Sequence, residues 1–237
     1  MKRRTINKLQ GPNGDAFNLS ISDLMAGLLA IFILILTYFI LNFSQATAQL
    51  TQNNVKRAAI LTEIQNEMQR SGFDVKIDAE HGILRIPEGV LFDVGRAEIK
   101  YDGQMVIKKL SHVIVDILQS EAYGNSVETI FIEGHTDNIP IYNYMYPSNW
   151  ELSSKRAINT WRYMQSCEED IDKITNNLGQ PVFSCSGYAE TRPVSDNSTA
   201  QGRKENRRID LRFSMSAPTK EEQEIVKFAK EYLRDEE

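Results

Sequence analysis

The chain has 237 residues, 41% of them apolar, enough for one globular core plus an appendage and too few for two full domains. Its 27 Lys and Arg against 32 Asp and Glu leave a net charge of −5, a poor footing for non-specific nucleic-acid binding, which runs on phosphate neutralisation. A charged fraction of 25% with 9% aromatics excludes wholesale disorder, and two cysteines exclude both a disulfide scaffold and a four-cysteine zinc site.

Residues 1–18 are polar, with Gly11-Pro12-Asn13-Gly14 as a breaker, and read as a flexible tail. Residues 19–43 read as a single transmembrane helix. From Leu24 to Leu41 the chain runs 18 residues without a charge, and Asn42-Phe43 extends the run. At about 1.5 Å per residue, that run matches the roughly 30 Å hydrocarbon core of a bilayer. A signal peptide is the rival reading, with Ala46-Thr47-Ala48 as a weak cleavage site, but its apolar region would be shorter, about 7–15 residues. Lys2, Arg3, Arg4 and Lys8 precede the run, whereas Ser44 to Val55 is uncharged, so the N-terminus is expected in the cytoplasm and everything after Phe43 outside the membrane, in the periplasm if the cell is a diderm bacterium.

Residues 44–71 are expected to form a short helical stalk. Leu50, Arg57, Leu61, Ile64 and Met68 fall near heptad spacing, which suits pairing with a second copy; a solvated linker helix is the alternative. Residues 72–217 alternate strand and helix patterns. Strands are predicted at 75–78, 83–86, 129–132, 182–186 and 209–213, with helices at 105–118 and 150–164. That order implies an α/β sandwich with helices on one sheet face. A charged amphipathic helix is expected within residues 218–237. Cys167 and Cys185 would close an 18-residue loop, worth about 3 kcal/mol as a disulfide, or remain two free thiols.

Asp23 heads the apolar run. It reads either as a first-turn carboxylate favoured by the helix dipole or as a titratable group facing a partner. Gly27, Ala30, Leu34 and Thr37 follow on its face, the first two small enough for close helix approach. One charge falling through 100 mV supplies about 2.3 kcal/mol, so a single carboxyl on a partner-lined path could harness a membrane potential. His81, His112 and His135 are dispersed without paired ligand spacing, so no enzyme, metal site or cofactor is expected. The run Glu168-Glu169-Asp170 with Asp172 reads as a solvated helix end.

Four motifs are more specific. They are Gly134-His135-Thr136-Asp137-Asn138-Ile139-Pro140, Asn149-Trp150-Glu151-Leu152-Ser153-Ser154-Lys155-Arg156-Ala157, Gly187-Tyr188-Ala189-Glu190-Thr191-Arg192-Pro193, and Gly202-Arg203-Lys204-Glu205-Asn206-Arg207-Arg208-Ile209. In this order, and with Leu91 to Ile99 before them, they resemble the OmpA-like peptidoglycan-binding domain over about residues 80–215. The wording around Asn149 is closest to the MotB branch, and Ile21 to Phe32 is similar to the MotB segment that carries an ion-binding aspartate.

The resemblance implies the B subunit of an ion-driven rotary stator. Two copies would pair inside a ring of five MotA- or ZorA-like subunits, with Asp23 binding a translocated H+ or Na+. It further implies that Asp137 holds the ammonium and Arg156 the carboxylate of a meso-diaminopimelate stem peptide. Asn149, Leu152, Asn206 and Arg207 would line or support that pocket. The span from membrane to wall domain is short for a flagellar MotB, and this compact layout is more similar to ZorB, the MotB-like subunit of Zorya anti-phage systems. A flagellar or gliding stator and a passive wall anchor are the alternatives.

Overall fold

The computed structural model describes residues 12–124 and 126–217, except the side chains of residues 12–22, 45, 46, 49 and 50. The expected C-terminal helix at 218–237, residues 1–11 of the tail and the Leu50 side chain lie outside that description. The chain divides into two compact units, 1–50 and 51–237.

A long helix, α1, covers Pro12–Arg70. It begins inside the predicted tail: proline is tolerated at a helix's first position because its missing N–H would be unsatisfied there anyway. Within the first unit, Asp23–Ser44 is long and apolar enough to cross a membrane. Its large apolar side chains, from Leu24 and Met25 to Leu41 and Phe43, are all exposed. Left in water, that surface would forfeit tens of kcal/mol, so it requires a lipid or protein covering.

In the second unit the end of α1 is part of the core. Ile60, Leu61, Ile64 and Met68 are fully buried against residues of the sheet and helices. This corrects the expected self-pairing seam: Leu61, Ile64 and Met68 face the chain's own domain and are unavailable to a second copy. The heptad-like spacing reflects an amphipathic helix covering a core, which uses the same period. Side chains fix this segment at its rim. Asn53 Nδ2 donates to Ser216 O at 3.0 Å, Arg57 Nη2 to Glu80 O at 2.8 Å, and Gln65 Nε2 to Val75 O at 2.9 Å.

The remaining strands and α-helices are β1 (Lys76–Asp78), β2 (Ile83–Pro87), α2 (Glu88–Leu91), α3 (Tyr101–Leu118), β3 (Val127–His135), α4 (Asn149–Cys167), β4 (Phe183–Gly187), α5 (Ala200–Asn206) and β5 (Arg208–Met215), with a short 3-10 turn at Ile171–Lys173. The strands form one sheet in the order β1-β2-β5-β3-β4, antiparallel except for the β3–β4 pair. Alternation along the strands separates its two faces. Leu84, Leu211 and Ile132 lie in one cross-strand row and Ile86 and Ile209 in the next, all within the core. The predicted α/β sandwich is thus observed. Strand β3 continues three residues beyond its predicted end, because Glu133, Gly134 and His135 still pair with Asp210, Ile209 and Arg208.

Ser148 caps α4 by accepting the Trp150 N–H at 3.2 Å, and its hydroxyl donates to Glu151 Oε2 at 2.5 Å, a Ser-x-x-Glu capping arrangement. Cys185 Sγ lies 3.7 Å from Ala157 O, whereas Cys167 is ten residues further along α4, about 15 Å at the helical rise. A disulfide needs Cα atoms within about 7 Å, so both cysteines are free thiols. Burial pushes the Cys185 thiol up to about 11.

Candidate functional site at one end of the sheet

The final cross-strand row at one end of the sheet holds Pro87, Arg208 and His135. Just beyond it lie Glu88, Arg207 and Asp137, with Glu88 N–H donating to Arg207 O at 3.0 Å. These side chains form a chain of alternating charges. Asp137 Oδ2 accepts from Arg207 Nη1 at 2.5 Å; Arg207 Nε donates to Glu88 Oε2 at 2.6 Å; Glu88 Oε1 pairs with Arg156 Nη2. Asp137, Glu88 and Arg156 are buried, while the Arg207 side chain remains 30% exposed.

The resemblance implied Asp137 and Arg156 as the two charged groups of the ligand site, but they do not meet each other directly. Instead, Asp137 pairs with Arg207, and Arg156 is joined to them through Glu88. Arg156 is 2% exposed, donates through Nε to Arg96 O at 2.8 Å, and has its guanidinium carbon 5.2 Å from the Phe92 ring centroid. Glu88 was missed in the sequence. Its only local signal is a carboxylate directly after a strand-ending proline.

Asn149 fastens the loop leaving Asp137 to the start of α4. Its Nδ2 donates to Asp137 O at 3.3 Å, Ile139 O at 3.2 Å and Glu190 Oε2 at 3.1 Å, and its Oδ1 accepts the Ile141 N–H at 3.2 Å. Leu152 packs with Ala97, Tyr146 and Ile141 in a small separate apolar cluster. Asn206 is fully buried and holds the 194–197 turn: its Oδ1 accepts from Val194 and Ser195 N–H, and its Nδ2 donates to Ser195 O and Asn197 Oδ1. Every hydrogen-bonding valence of that amide is used inside the protein, so Asn206 supports the loop and Arg207 beside it rather than facing a ligand.

Glu133 and His135, adjacent to Asp137 in sequence, belong to a different cluster on the sheet face opposite the core. Arg212 forms a bidentate pair with Glu133 at 3.0 and 2.8 Å, and Asp210 accepts from Arg85 at 3.0 Å and Arg208 at 2.9 Å. His135, stacked on Tyr188, lies 3.8 Å from Glu133 and 3.7 Å from Asp210, beyond hydrogen-bond reach. Glu133, His135 and Asp210 are close enough to share a metal ion. The charge balance opposes it: both carboxylates are already neutralised by guanidinium groups, and a dication would sit uncompensated among them. At the other acidic cluster, Glu168 pairs with His112, Asp170 with Lys173, and Asp172 accepts from Gln165.

The buried cluster carries a pH dependence. Burial pushes the Glu133 carboxyl up, but His135 and Arg212 outweigh it and hold it down to about 2, from an ordinary 4.5. Burial pushes the His135 imidazole below its ordinary 6.5, against the pull of Glu133 and Asp210. Below pH 6.5 the unfolded imidazole gains a proton that the folded one resists, so folding weakens as pH falls. The Glu133 contribution, about 3 kcal/mol, is complete above 4.5 and lost as pH falls to about 2. The thermal unfolding midpoint of the full chain in detergent micelles is therefore expected to drop between pH 7 and 5, and His135→Asn to flatten that limb. A wild-type limb already as flat as the variant's would contradict a buried neutral imidazole.

Residues 91–207 match the OmpA family. The chain is 35% identical over 158 residues to the uncharacterized protein YtxE of Bacillus subtilis strain 168, covering 67% of this chain and 58% of that one. It is 36% identical over 138 residues to motility protein B of the same organism, covering 58% and 47% respectively. The chain thus spans about half the length of these relatives. Among solved structures, a putative MotB-like protein from Desulfovibrio vulgaris superposes with a TM-score of 0.54 at 21% identity, over 71% of this chain and 96% of that one, which shows a shared fold. Residues 91–207 thus resemble an OmpA-family domain, and the chain is similar to motility protein B over 58% of its length.

Proposed function

We propose that this chain is a peptidoglycan-anchored B subunit of an ion-driven membrane motor. The observation that carries the wall-binding part is the Asp137–Arg207–Glu88–Arg156 ion chain at the end of the sheet. At its Asp137 end a carboxylate and the partly exposed Arg207 guanidinium are held side by side. A diaminopimelate side chain carries an ammonium and a carboxylate on one carbon. Asp137 takes the ammonium and Arg207 the carboxylate, both charge-assisted contacts. Arg156 acts from behind, through Glu88, which keeps Arg207 oriented.

The motor part rests on the apolar span and on Asp23 at its head, exposed on the single chain. A second B chain and a ring of A subunits would supply the protein lining that an ionisable group in a bilayer requires, with H+ or Na+ as the translocated ion. The N-terminus lies in the cytoplasm and the OmpA-family domain in the periplasm, next to the wall. Only residues 45–59 separate the apolar span from Ile60, the first core residue of the domain. That short connection favours a Zorya-type anti-phage role over a flagellar stator, in which a long linker precedes the wall domain.

Two arms of one experiment test this reading, with wild type, Asp137→Asn and Asp23→Asn expressed at matched membrane levels from the whole native locus. In the first, detergent-extracted full chain is sedimented with purified sacculi: wild type and Asp23→Asn should co-sediment, and Asp137→Asn should lose at least tenfold in affinity. In the second, phage plaquing is scored, and Asp23→Asn should protect no better than an empty locus. Equal protection by Asp23→Asn would remove the motor mechanism and leave a passive anchor. Equal sedimentation of Asp137→Asn would remove the wall site.

A further inference from the structure

The largest exposed apolar side chains of the folded domain include a group on one loop. Between Asp137 and α4, Ile139, Tyr142, Tyr144 and Met145 point outward, with Tyr142 88% exposed and Tyr144 fully so. The loop is nonetheless built. Asn143 Oδ1 accepts the Met145 N–H at 2.9 Å and the Tyr146 N–H at 2.8 Å, and Asn143 N–H donates to Tyr146 O at 3.0 Å, an Asx-type turn that holds Tyr144 and Met145 at its tip. Tyr146 turns inward and packs against Ala97 and Leu152. Asp137 Oδ1 accepts the Ile139 N–H at 3.0 Å at one end of the loop, and Asn149 ties both ends to the Asp137 site.

Exposed apolar side chains on an ordered scaffold mark a contact surface. From Asn138 to Trp150 the loop carries no charge. An anionic membrane surface would call for Lys or Arg here, and a charged peptide for counter-charges. A neutral, polyhydroxylated ligand needs neither. A phenol ring offers an apolar face to the C–H face of a pyranose and a hydroxyl to its hydroxyls.

We infer that this loop is a sugar-stacking platform, with Tyr142 and Tyr144 lying against the amino-sugar rings of the glycan strand whose stem peptide ends in the Asp137–Arg207 site. The inference rests on the wall-binding reading above and adds a second point of contact to it. The reach is consistent. A three-residue stem spans at most about 10 Å, and the five residues from Asp137 to Tyr142 at most about 18 Å. A ligand seated by its peptide thus brings its sugars to the loop at a high effective concentration.

The test uses the full chain in nanodiscs and two soluble probes: the diaminopimelate-containing stem tripeptide alone, and the same tripeptide on its N-acetylglucosamine–N-acetylmuramic acid disaccharide. Titration calorimetry of wild type should show the disaccharide form binding at least tenfold tighter. The variant Tyr142→Ala/Tyr144→Ala, which leaves the Tyr146 anchor in place, should bind both forms alike and the bare tripeptide as wild type does. Equal wild-type affinity for both probes, or an undiminished preference in the variant, would overturn the platform while leaving the peptide site standing. Failure of wild type to bind either probe would overturn the wall-binding reading and the platform with it.

Discussion

Gly134→Ala is expected to destabilise the α/β domain by more than about 4 kcal/mol, at the extreme of single substitutions. A Cβ at this position would stand 2.8 Å from the Ser153 carbonyl carbon and 3.2 Å from its Cα, closer still to its oxygen, and all of these are backbone atoms of α4. Gly187, its partner across the β3–β4 ladder, is equally close: a Cβ there would lie 2.5 Å from Ser154 N. The two glycines form a shallow trough in the sheet, into which α4 settles by its main chain. A flexible side chain could swing aside, but a helix backbone moves only as a unit. Shifting α4 would carry Asn149, Leu152 and Arg156 with it and take the site apart. Chemical unfolding of the full chain in detergent micelles measures the loss. Gly89→Ala, where the added Cβ meets no atom within 4 Å, is the control and should cost less than about 1 kcal/mol. Matching midpoints for the two variants would show that α4 does not rest on the sheet in this way.

The second large effect is expected at Glu88. Removing this carboxylate leaves the buried Arg156 guanidinium without its counter-charge and frees Arg207 from one of its two anchors. Breaking a buried pair from one side costs about 3–5 kcal/mol, mostly the penalty of stranding a charge. Glu88→Ala should therefore destabilise by that amount and also weaken sacculus binding, although Glu88 itself touches no ligand in the proposed arrangement. The double variant Glu88→Ala/Arg156→Met should recover at least half of the lost stability, because no stranded charge remains. Binding should stay weak in the double variant, since Arg207 is still unsupported. Additive losses in the cycle would mean that Glu88 and Arg156 are not energetically coupled.

Each of these effects depends on contacts between residues distant in sequence, which divides what could be read beforehand from what could not. Local periodicity located every strand of the sheet, with ends shifted by a few residues, and the helices α3 and α4. An uncharged apolar run located the membrane-competent segment. These are properties of neighbouring residues, and the chain expresses them locally. The motifs also placed Asp137, Asn149, Arg156 and Arg207 near one site.

What the sequence could not express was pairing. A carboxylate and a guanidinium attract through space, so nothing in the spacing of Asp137 and Arg156 reveals that Arg207 and Glu88 stand between them. The period of Leu61, Ile64 and Met68 reports that one face of the helix is apolar; it does not report whether that face meets a second copy or the chain's own core. Glu133 and His135 adjoin Asp137 in sequence, but the pleat turns their side chains to the face of the sheet away from the core. Sequence alone determined which residues have a buried face and where the elements run. The tertiary structure decided what each face is buried against, because only the folded chain fixes the distances over which charges pair and backbones touch.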